Sequence, residues 1–390
     1  MQKPIVLFIL LLTNISCIGQ QKNTDSEGII VAAAQTDLYL PLLSEKKVAL
    51  LANHSSLVGD THLVDLLLEN GVTITKVLAP EHGFRGDKSD GVDIKDSKDE
   101  KTGIQIISIY GDNKFIPEKL INDVDVLIFD IQDVGVRFYT YITAMHYAME
   151  ACAKTGTKFI VLDRPNPNGM YVDGPILDPK MKSYIGVHPI PVVHGLTVGE
   201  LATMINGEGW LSIGKCELTV IPVKNYTHAT TYSLPVKPSP NLPNDQAIKL
   251  YPSLALFEGT VVSVGRGTQQ PFTIIGHPEF AELKYTFTPQ SIPGMSVNPP
   301  LEGKKCYGYD LSYINFKPQF TLKYLLEFYA MSDEKDKFFK DYFNKLIGNT
   351  TTMQQIKDGL SERDIKATWA GKLATYKKMR KKYLLYKDFE

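Results

Sequence analysis

Polar side chains of the kinds that carry out chemistry follow four apolar runs of the sequence. The polar segments are residues 53–56, 81–86, 130–139 and 163–169, and they combine carboxylates with histidine, tyrosine and arginine. In a parallel α/β sheet the carboxyl ends of the strands emerge on one edge, where such folds bind ligands. We therefore expect these four segments to converge on one cleft.

Arginine is scarce in this chain and its distribution is uneven. Lysine and arginine together number 42, of which six are arginine. Four of the six lie in these loops or in a comparable loop further along the chain: Arg85, Arg137, Arg164 and Arg266. A planar guanidinium is suited to hold a carboxylate or phosphate in a fixed orientation. The alternative is that an arginine pairs with Asp130, Asp133 or Asp163 and only holds the loops together.

The carboxylates in these segments suit cleavage of a glycosidic bond, which needs a protonated acid and a second group at the anomeric carbon. Glu81 is our candidate for the acid, since an apolar wall from Phe84 would raise its pKa. A simple ion pair with Arg85 is the competing interpretation. Asp130 and Glu258 are alternative candidates for the second carboxylate.

The sequence defines the roles of the aromatic and histidine side chains of these loops less closely than those of the carboxylates. Tyr139 and Tyr141 stand at the start of a predicted helix, where residues two apart point to different faces, so we expect one of them to line the cleft. The scattered His54, His82 and His194 are typical of hydrogen-bonding loop residues, and we predict no metal site.

Several common catalytic motifs are absent from the sequence. Gly265 and Gly267 lack the third glycine of a dinucleotide-binding fingerprint, and we predict no cofactor. The chain contains no phosphate-binding Walker loop, no H-E-x-x-H and no G-x-S-x-G. The usual indications of serine hydrolysis, nucleoside triphosphate chemistry and zinc peptidase chemistry are therefore missing.

The elements that would position these residues follow an alternating pattern. Short, β-branched, apolar runs predict buried parallel strands at residues 48–53, 72–79, 104–110, 124–130 and 158–163. Helices are predicted at residues 63–69, 139–155 and 196–207, the last with a capping box formed by Thr197 and Glu200. This alternation predicts an α/β fold, a Rossmann-like doubly wound parallel sheet, over residues 28–233.

A proline-rich segment, residues 233–243, forbids regular structure and marks a domain boundary. Beyond it, alternation at residues 285–288 predicts a strand, and helices are predicted at residues 321–346 and 353–385. We expect residues 240–390 to form a smaller α+β domain that closes the cleft.

Composition is that of a globular protein with 390 residues, 43% hydrophobic and 22% charged. The formal net charge of -1 gives no reason to expect a nucleic-acid partner. Cys152, Cys216 and Cys306 are odd in number and widely spaced, so we expect buried thiols rather than a disulfide scaffold.

The N-terminus reads as an export signal, with Lys3, an apolar run over residues 5–12 and small or polar residues before Cys17. The apolar run is too short to cross a bilayer. Residues 14–17 resemble a lipoprotein cleavage box, although Asn14 replaces the usual leucine, so a soluble secreted form remains the alternative. We expect residues 1–17 to form a signal peptide of the lipoprotein type, with a lipid anchor at Cys17 and the protein in the periplasm or at the outer membrane or cell surface.

Several long motifs, in order, resemble the bacterial exo-β-N-acetylmuramidases, which release terminal N-acetylmuramic acid from peptidoglycan fragments. The matching segments are residues 81–86, 130–141, 163–167, 194–201 and 257–268, and the resemblance spans roughly residues 30–390. Ordered long motifs are far more specific than one short motif.

The resemblance implies a Rossmann-like first domain, a smaller second domain, a cleft between them and Glu81 as a catalytic residue. Asp130 is the second catalytic candidate, and the muramic lactyl carboxylate gives Arg137 or Arg266 a ligand. The substrate's own 2-acetamido group could instead attack the anomeric carbon, with Asp130 or Asp133 orienting it. The polar side chains expected to contact the saccharide are His82, Arg85, Gln132, Asp133, Arg137, Tyr139, Asp163, Arg164, Asn166, His194, Glu258 and Arg266. The alternatives are a non-catalytic muropeptide-binding or glycan-binding lipoprotein, and an esterase or amidase acting on wall fragments.

Overall fold

A computed structural model describes residues 28–80, 84–85, 96–109 and 115–390 of the chain. The predicted signal segment, Cys17, Glu81 and His82 lie outside the described residues. In the described part, no helix is both long and apolar enough to cross a membrane.

The described residues form twelve strands and ten α-helices. The strands are β1 (Lys47–Ala52), β2 (Leu57–Val58), β3 (Thr61–His62), β4 (Thr73–Ala79), β5 (Ser97–Lys98), β6 (Gln105–Ser108), β7 (Val126–Asp130), β8 (Lys158–Leu162), β9 (Leu218–Ile221), β10 (Ile274–His277), β11 (Tyr285–Phe287) and β12 (Cys306–Asp310). The helices are α1 (Thr36–Tyr39), α2 (Leu63–Glu69), α3 (Tyr141–Thr155), α4 (Val198–Gly207), α5 (Asp245–Leu254), α6 (Lys323–Met331), α7 (Lys335–Phe338), α8 (Tyr342–Ile347), α9 (Thr351–Lys357) and α10 (Glu362–Arg380).

The main sheet has seven strands in the order β5-β6-β4-β1-β7-β8-β9. Neighbouring strands from β6 to β9 pair in parallel, and β5 adds an antiparallel edge. The chain builds outward from β1 to β6, returns to the other side of β1 at β7, and continues to β9. This is the doubly wound order with its switch point between β1 and β7, and it confirms the predicted α/β class.

Both faces of this sheet are buried, because successive side chains of a strand point to opposite sides. In β1, Ala49 and Leu51 join the hydrophobic cluster that includes α3 and α4. Val48, Leu50 and Ala52 join a second cluster with α2 on the other face. All five predicted strands are present. Prediction missed two strands of this sheet, β5 and β9. Both are edge strands without a buried apolar run, β5 with two exposed residues and β9 half-exposed.

Predicted helices are confirmed with changed boundaries. Helix α2 has the predicted bounds, α3 starts at Tyr141, and α4 carries the predicted capping box of Thr197 and Glu200. The single helix predicted over residues 321–346 is wrong, since α6, α7 and α8 occupy that region. Glu279 accepts hydrogen bonds from Ser332 Oγ (3.1 Å) and Asp333 N (2.5 Å), and it holds the chain out of helical conformation there. The helix predicted over residues 353–385 is likewise two helices, α9 and α10.

The second half of the chain combines a three-stranded antiparallel sheet, β10-β12-β11, with helices α6 to α10. The proline-rich residues 233–243 contain no helix or strand. Aromatic side chains from this half, including Phe257 and Phe343, lie in the same hydrophobic cluster as α3 and α4. Cys152, Cys216 and Cys306 are buried and free, as predicted.

Candidate active site

The switch point of the sheet is closed by hydrogen bonds between the ends of β1 and β7. Ser56 Oγ donates to the Asp130 carbonyl, and Gln132 N donates to Ser55 Oγ at 3.0 Å. The Gln132 amide donates to the carbonyls of Asp133 and Pro165, both at 2.8 Å. Gln132, predicted to contact substrate, is buried and joins the loops.

Asp130 and Arg164 form a buried two-pronged ion pair. Arg164 Nε lies 2.5 Å from Asp130 Oδ1, and Nη2 lies 2.9 Å from Oδ2. Arg164 also donates to the Leu57 carbonyl at 3.1 Å. The structure thus gives Asp130 and Arg164 the alternative role considered for the arginines, that of holding the loops together. An enclosed, paired carboxylate is poorly suited to attack a sugar.

Asp163 is the hydrogen-bonding centre of the loop after β8. Its carboxylate accepts from Arg164 N, Gly199 N, Thr197 Oγ1 and Tyr386 Oη at 2.5 to 3.0 Å. Burial raises the pKa of Asp163 to about 6, against the opposing effect of these donors. This residue connects β8 to α4 and to the C-terminal segment, and it does not reach the pocket described below.

Three further predicted substrate contacts are buried within this loop network. Asp133 Oδ2 accepts from Gly135 N at 2.6 Å, and His194 Nε2 lies 3.8 Å from the same oxygen. The Asn166 amide donates to the Leu196 carbonyl at 2.9 Å. A side chain on Gly135, where φ is +76°, would strike the Asn166 amide. The network fixes the shape of the loops between β7, β8 and α4.

Arg137 is placed differently from our expectation. Its side chain is fully buried and donates to the carbonyls of Pro175 (2.8 Å), Ile190 (2.9 Å) and Leu346 (2.9 Å). Burial lowers the pKa of Arg137 to about 9. The predicted contact with a substrate carboxylate does not fit this position, because the two terminal guanidinium nitrogens already donate to backbone carbonyls from three segments.

Arg85 forms an ion pair with two aspartates, Asp99 and Asp65. Its guanidinium lies 2.8 Å from both Asp99 oxygens, with Asp65 at 3.5 Å. These contacts hold the pKa of Asp99 at about 2. Phe84 packs edge-on against the His62 ring with centroids 4.6 Å apart, so the apolar wall proposed for Glu81 is part of the hydrophobic core.

A pocket of about 510 Å³ lies where the loop after β7 meets the second half of the chain. Its wall is rich in aromatic rings. The lining residues are Phe138, Tyr139, Thr140, Tyr141, Ser183, Tyr184, Ile185, Ser239, Asn241, Leu242, Tyr251, Glu258, Arg266, Phe272, Tyr342 and Lys345. Of the predicted site residues that the structure describes, Tyr139, Glu258 and Arg266 are brought together here.

Tyr139 and Tyr141 both line this pocket, so the expectation that only one would do so is wrong. The helix begins at Tyr141, which leaves Tyr139 in a turn where helical spacing does not apply. Their rings meet edge to face with centroids 5.0 Å apart. Tyr139 Oη donates to the Pro238 carbonyl at 2.6 Å and fastens the proline-rich segment to the pocket wall.

Glu258 and Arg266 form the ion pair of the pocket. Arg266 Nε lies 2.6 Å from Glu258 Oε1, and the two side chains are 19% and 25% exposed. The Arg266 guanidinium also lies 5.1 Å from the centre of the Phe272 ring. Phe272 has a φ of +57°, a backbone conformation rare for a bulky residue and often found at functional sites.

Sequence reasoning missed the parts of the pocket that come from distant segments. Tyr184, Tyr251, Tyr342 and Lys345 stand in no motif that the strand and loop pattern could relate to Tyr139. Phe272 lies close in sequence to Gly265 and Gly267, and its aromatic side chain was the one feature that could have indicated a binding site.

A second cavity of about 580 Å³ lies on the other side of the proline-rich segment. His54, at the end of β1, lies on its wall with Lys237, Gln269 and Met295. His54 Nε2 is 2.8 Å from the Lys237 carbonyl, and burial lowers the pKa of His54. The structure therefore separates His54 from the aromatic pocket by one segment of chain.

Comparison with known proteins places the chain in a family. Two family models match, "Exo-beta-N-acetylmuramidase NamZ, N-terminal" over residues 48–246 and its C-terminal counterpart over residues 249–386. A curated relative, peptidoglycan beta-N-acetylmuramidase NamZ of Bacillus subtilis (strain 168), is 39% identical over 373 residues, covering 89% of each chain.

Two solved structures from Bacteroides fragilis NCTC 9343, both titled as DUF1343 family proteins, share the fold. One is 48% identical with a TM-score of 0.87 and covers 93% of this chain and 99% of its own. The other is 26% identical with a TM-score of 0.77, covering 92% and 99%. The matches extend over both halves of the chain, which therefore belongs to the exo-β-N-acetylmuramidase NamZ family.

Proposed function

We propose that this protein is a glycoside hydrolase that releases β-linked N-acetylmuramic acid from the non-reducing end of peptidoglycan fragments. The observation that carries the proposal is the aromatic pocket, in which the ion-paired Glu258 and Arg266 face rings from both halves of the chain. The name of the Bacillus subtilis relative supports the same activity.

The pocket has the size and chemistry that a monosaccharide requires. Its volume of about 510 Å³ lies within the usual range for small-molecule sites. Seven of its lining residues are Phe or Tyr, which offer flat apolar faces to the carbon–hydrogen faces of a sugar ring and hydroxyl groups to its polar edge.

Two carboxylates have distinct parts in the proposed reaction. Glu81 follows β4 and is our candidate for the general acid that protonates the leaving oxygen, an assignment that rests on the sequence alone. Glu258 lies on the pocket wall and is better placed than the buried Asp130 to act at the anomeric carbon or to orient the 2-acetamido group.

The proposal predicts release of the aglycone from a chromogenic β-N-acetylmuramide. Glu81→Gln should reduce turnover by about 10²- to 10⁴-fold, because the isosteric amide cannot donate the proton. Substrate binding should be retained, and Glu100→Gln at an exposed position serves as the matched control. Initial rates and binding titrations would check both points.

Two results would contradict the assignments. Turnover of Glu81→Gln within a few-fold of the parent would exclude Glu81 as the acid. Tight binding of the muramide without release by the unaltered protein would favour a non-catalytic glycan-binding protein instead.

We also propose that the protein is exported and lipid-anchored at Cys17. The support is the N-terminal sequence, in which the apolar run over residues 5–12 precedes small and polar residues and then Cys17. Incorporation of a labelled fatty acid in bacteria would test the anchor. Labelling that persists in Cys17→Ser would contradict the anchor. An exported, soluble protein that carries no label would support the secreted form.

A further inference from the structure

The aromatic pocket holds one more positive charge than negative charge among its described residues. Its charged side chains are Glu258, Arg266 and Lys345. Glu258 and Arg266 neutralise each other across 2.6 Å, and Arg266 also packs on the Phe272 ring. Lys345 is exposed and has no ion-pair or hydrogen-bond partner in the described part of the chain.

Lys345 lies on a helix that is firmly fixed beside the ion pair. Helix α8 packs directly on Gly259, where a Cβ atom would come within 2.4 Å of the Phe343 Cα. Lys340 N donates to the Gly259 carbonyl at 2.9 Å, just before the helix begins. The position of α8 relative to Glu258 is therefore set by backbone contacts.

The other end of α8 is held by the buried Arg137. Its guanidinium donates to the Leu346 carbonyl, next to Lys345, and a Cβ atom on Gly348 would touch the same guanidinium. Arg137 belongs to the loop that continues into Tyr139 and Tyr141 on the facing wall. The loop and the helix therefore keep a fixed separation across the pocket.

We propose that Lys345 binds the acidic substituent of the saccharide and so selects a muramic over a glucosamine unit. The inference rests on the proposed function, since it assigns the substrate's carboxylate to a residue of the same pocket. A substrate carboxylate bound at Arg266 would also be repelled by the Glu258 carboxylate. Lys345, in contrast, offers a positive charge that no described carboxylate neutralises. Lysine binds as a point charge on a flexible stem, which suits the rotatable lactyl group.

The test compares two ligands that differ only in charge. N-acetylmuramic acid and its lactyl carboxamide are titrated into the full-length protein, into Lys345→Met, which keeps the length of the side chain, and into Lys345→Arg, which keeps its charge. Lys357→Met on α9 is the matched control, because Lys357 is exposed and does not line the pocket. Thermal midpoints verify that each variant is folded.

We expect the parent protein to bind the acid about 3- to 10-fold more tightly than the amide. This is the order of magnitude for an ion pair that the bound saccharide partly shields from solvent. Lys345→Met should lose this preference, whereas Lys345→Arg and Lys357→Met should keep it. The preference should also shrink as salt is raised, since an exposed charge is screened. With the muramide substrate, Lys345→Met should raise KM by a similar factor with less effect on kcat.

Two outcomes would overturn the inference while leaving the proposed function intact. One is an undiminished preference for the acid in Lys345→Met, which would assign the carboxylate to another group. The other is cleavage of the muramide by a parent protein that binds acid and amide equally. A parent protein that neither cleaves the muramide nor binds either ligand would instead refute the proposed function, and this inference with it.

Discussion

Buried charged side chains at the carboxyl edge of the main sheet hold its loops in place. Asp130 forms an ion pair with Arg164, and Asp133 accepts a hydrogen bond from Gly135 N. Arg137 donates hydrogen bonds to three backbone carbonyls. A charge enclosed without such partners would be very costly, and these contacts reduce that cost, although Asp133 Oδ1 and Arg137 Nε have no hydrogen-bond partner among the described residues. These residues determine the shape of the loops that carry the pocket, whose own charged side chains are Glu258, Arg266 and Lys345.

The buried carboxyl of Asp163 makes the stability of the protein depend on pH. Burial raises the pKa of its carboxyl to about 6, above the value of about 4 expected in an unfolded chain. The folded state therefore binds the proton more tightly, and the associated stabilisation is present below pH 4 and is lost as the pH rises through 6.

We predict that Asp163→Asn removes this part of the pH dependence. The amide can accept from the Arg164 and Gly199 N–H groups and donate to the Thr197 and Tyr386 hydroxyls, so the bonds can be kept without the charge. Relative to the variant, the free energy of unfolding of the parent should fall by on the order of 2 kcal/mol between pH 4 and 7. Urea titrations at several pH values would measure it, and parallel curves for the two proteins would contradict the shift.

At the scale of secondary structure, the pocket depends on how α8 is seated. The turn Ala255–Gly259 brings Glu258 to the wall and at the same time exposes Gly259 to α8. The helix backbone comes so close that any side chain at position 259 would meet Phe343 N or Cα within 2.7 Å. The absence of a side chain at Gly259 thus allows α8 to pack closely beside the pocket.

We predict that Gly259→Ala destabilises the protein by about 1 to 3 kcal/mol, the usual cost of overpacking, because the contact is with backbone and cannot be relieved by a rotamer change. KM for the muramide should rise as α8 moves. The matched control is Gly371→Ala inside α10, where a Cβ atom meets nothing within 4 Å and helix propensity improves by up to about 1 kcal/mol. Equal stability of the two variants in thermal unfolding would show that α8 is not tightly seated.

On the scale of the whole molecule, the C-terminal segment returns to the first sheet. Tyr386 Oη donates to Asp163 Oδ2 at 2.5 Å and accepts from Val223 N at 2.8 Å. Leu385 N donates to Glu200 Oε1 at 2.9 Å, and Asp388 pairs with the buried Arg380. The hydrophobic cluster also runs without a break through both halves. We infer that the two halves stabilise one another.

Removal of residues 384–390 should therefore destabilise the first sheet, although that sheet is built from a distant part of the chain. The truncation removes the carboxylate partner of the buried Arg380 and one donor each from Asp163 and Glu200, and we expect a decrease in the free energy of unfolding of at least about 3 kcal/mol. Tyr386→Phe, which deletes one hydroxyl, should cost about 1 to 2 kcal/mol. Thermal and urea unfolding would compare them, and a truncated protein as stable as the parent would contradict this coupling.

The local pattern of the sequence was sufficient to predict the main sheet and the motifs around it. Buried strands such as β1 and β7 are apolar on both faces, and the Thr197 and Glu200 capping box is a contact between neighbours in the chain. Strand β9 and the breaks between α6, α7 and α8 were not predictable in this way. Their limits depend on edge exposure and on Glu279, a residue remote in sequence.

The doubly wound fold and the set of loops at its carboxyl edge follow from the amino-acid sequence, because hydrophobic periodicity and strand ends are local properties. The role of each charged side chain within those loops depends on contacts between distant segments. Arg137 contacts a carbonyl 209 residues away, and Lys345 lines the same pocket as Arg266 although the two residues are far apart in sequence. A buried charge takes whichever partner the fold brings to it, and that partner can lie anywhere along the chain.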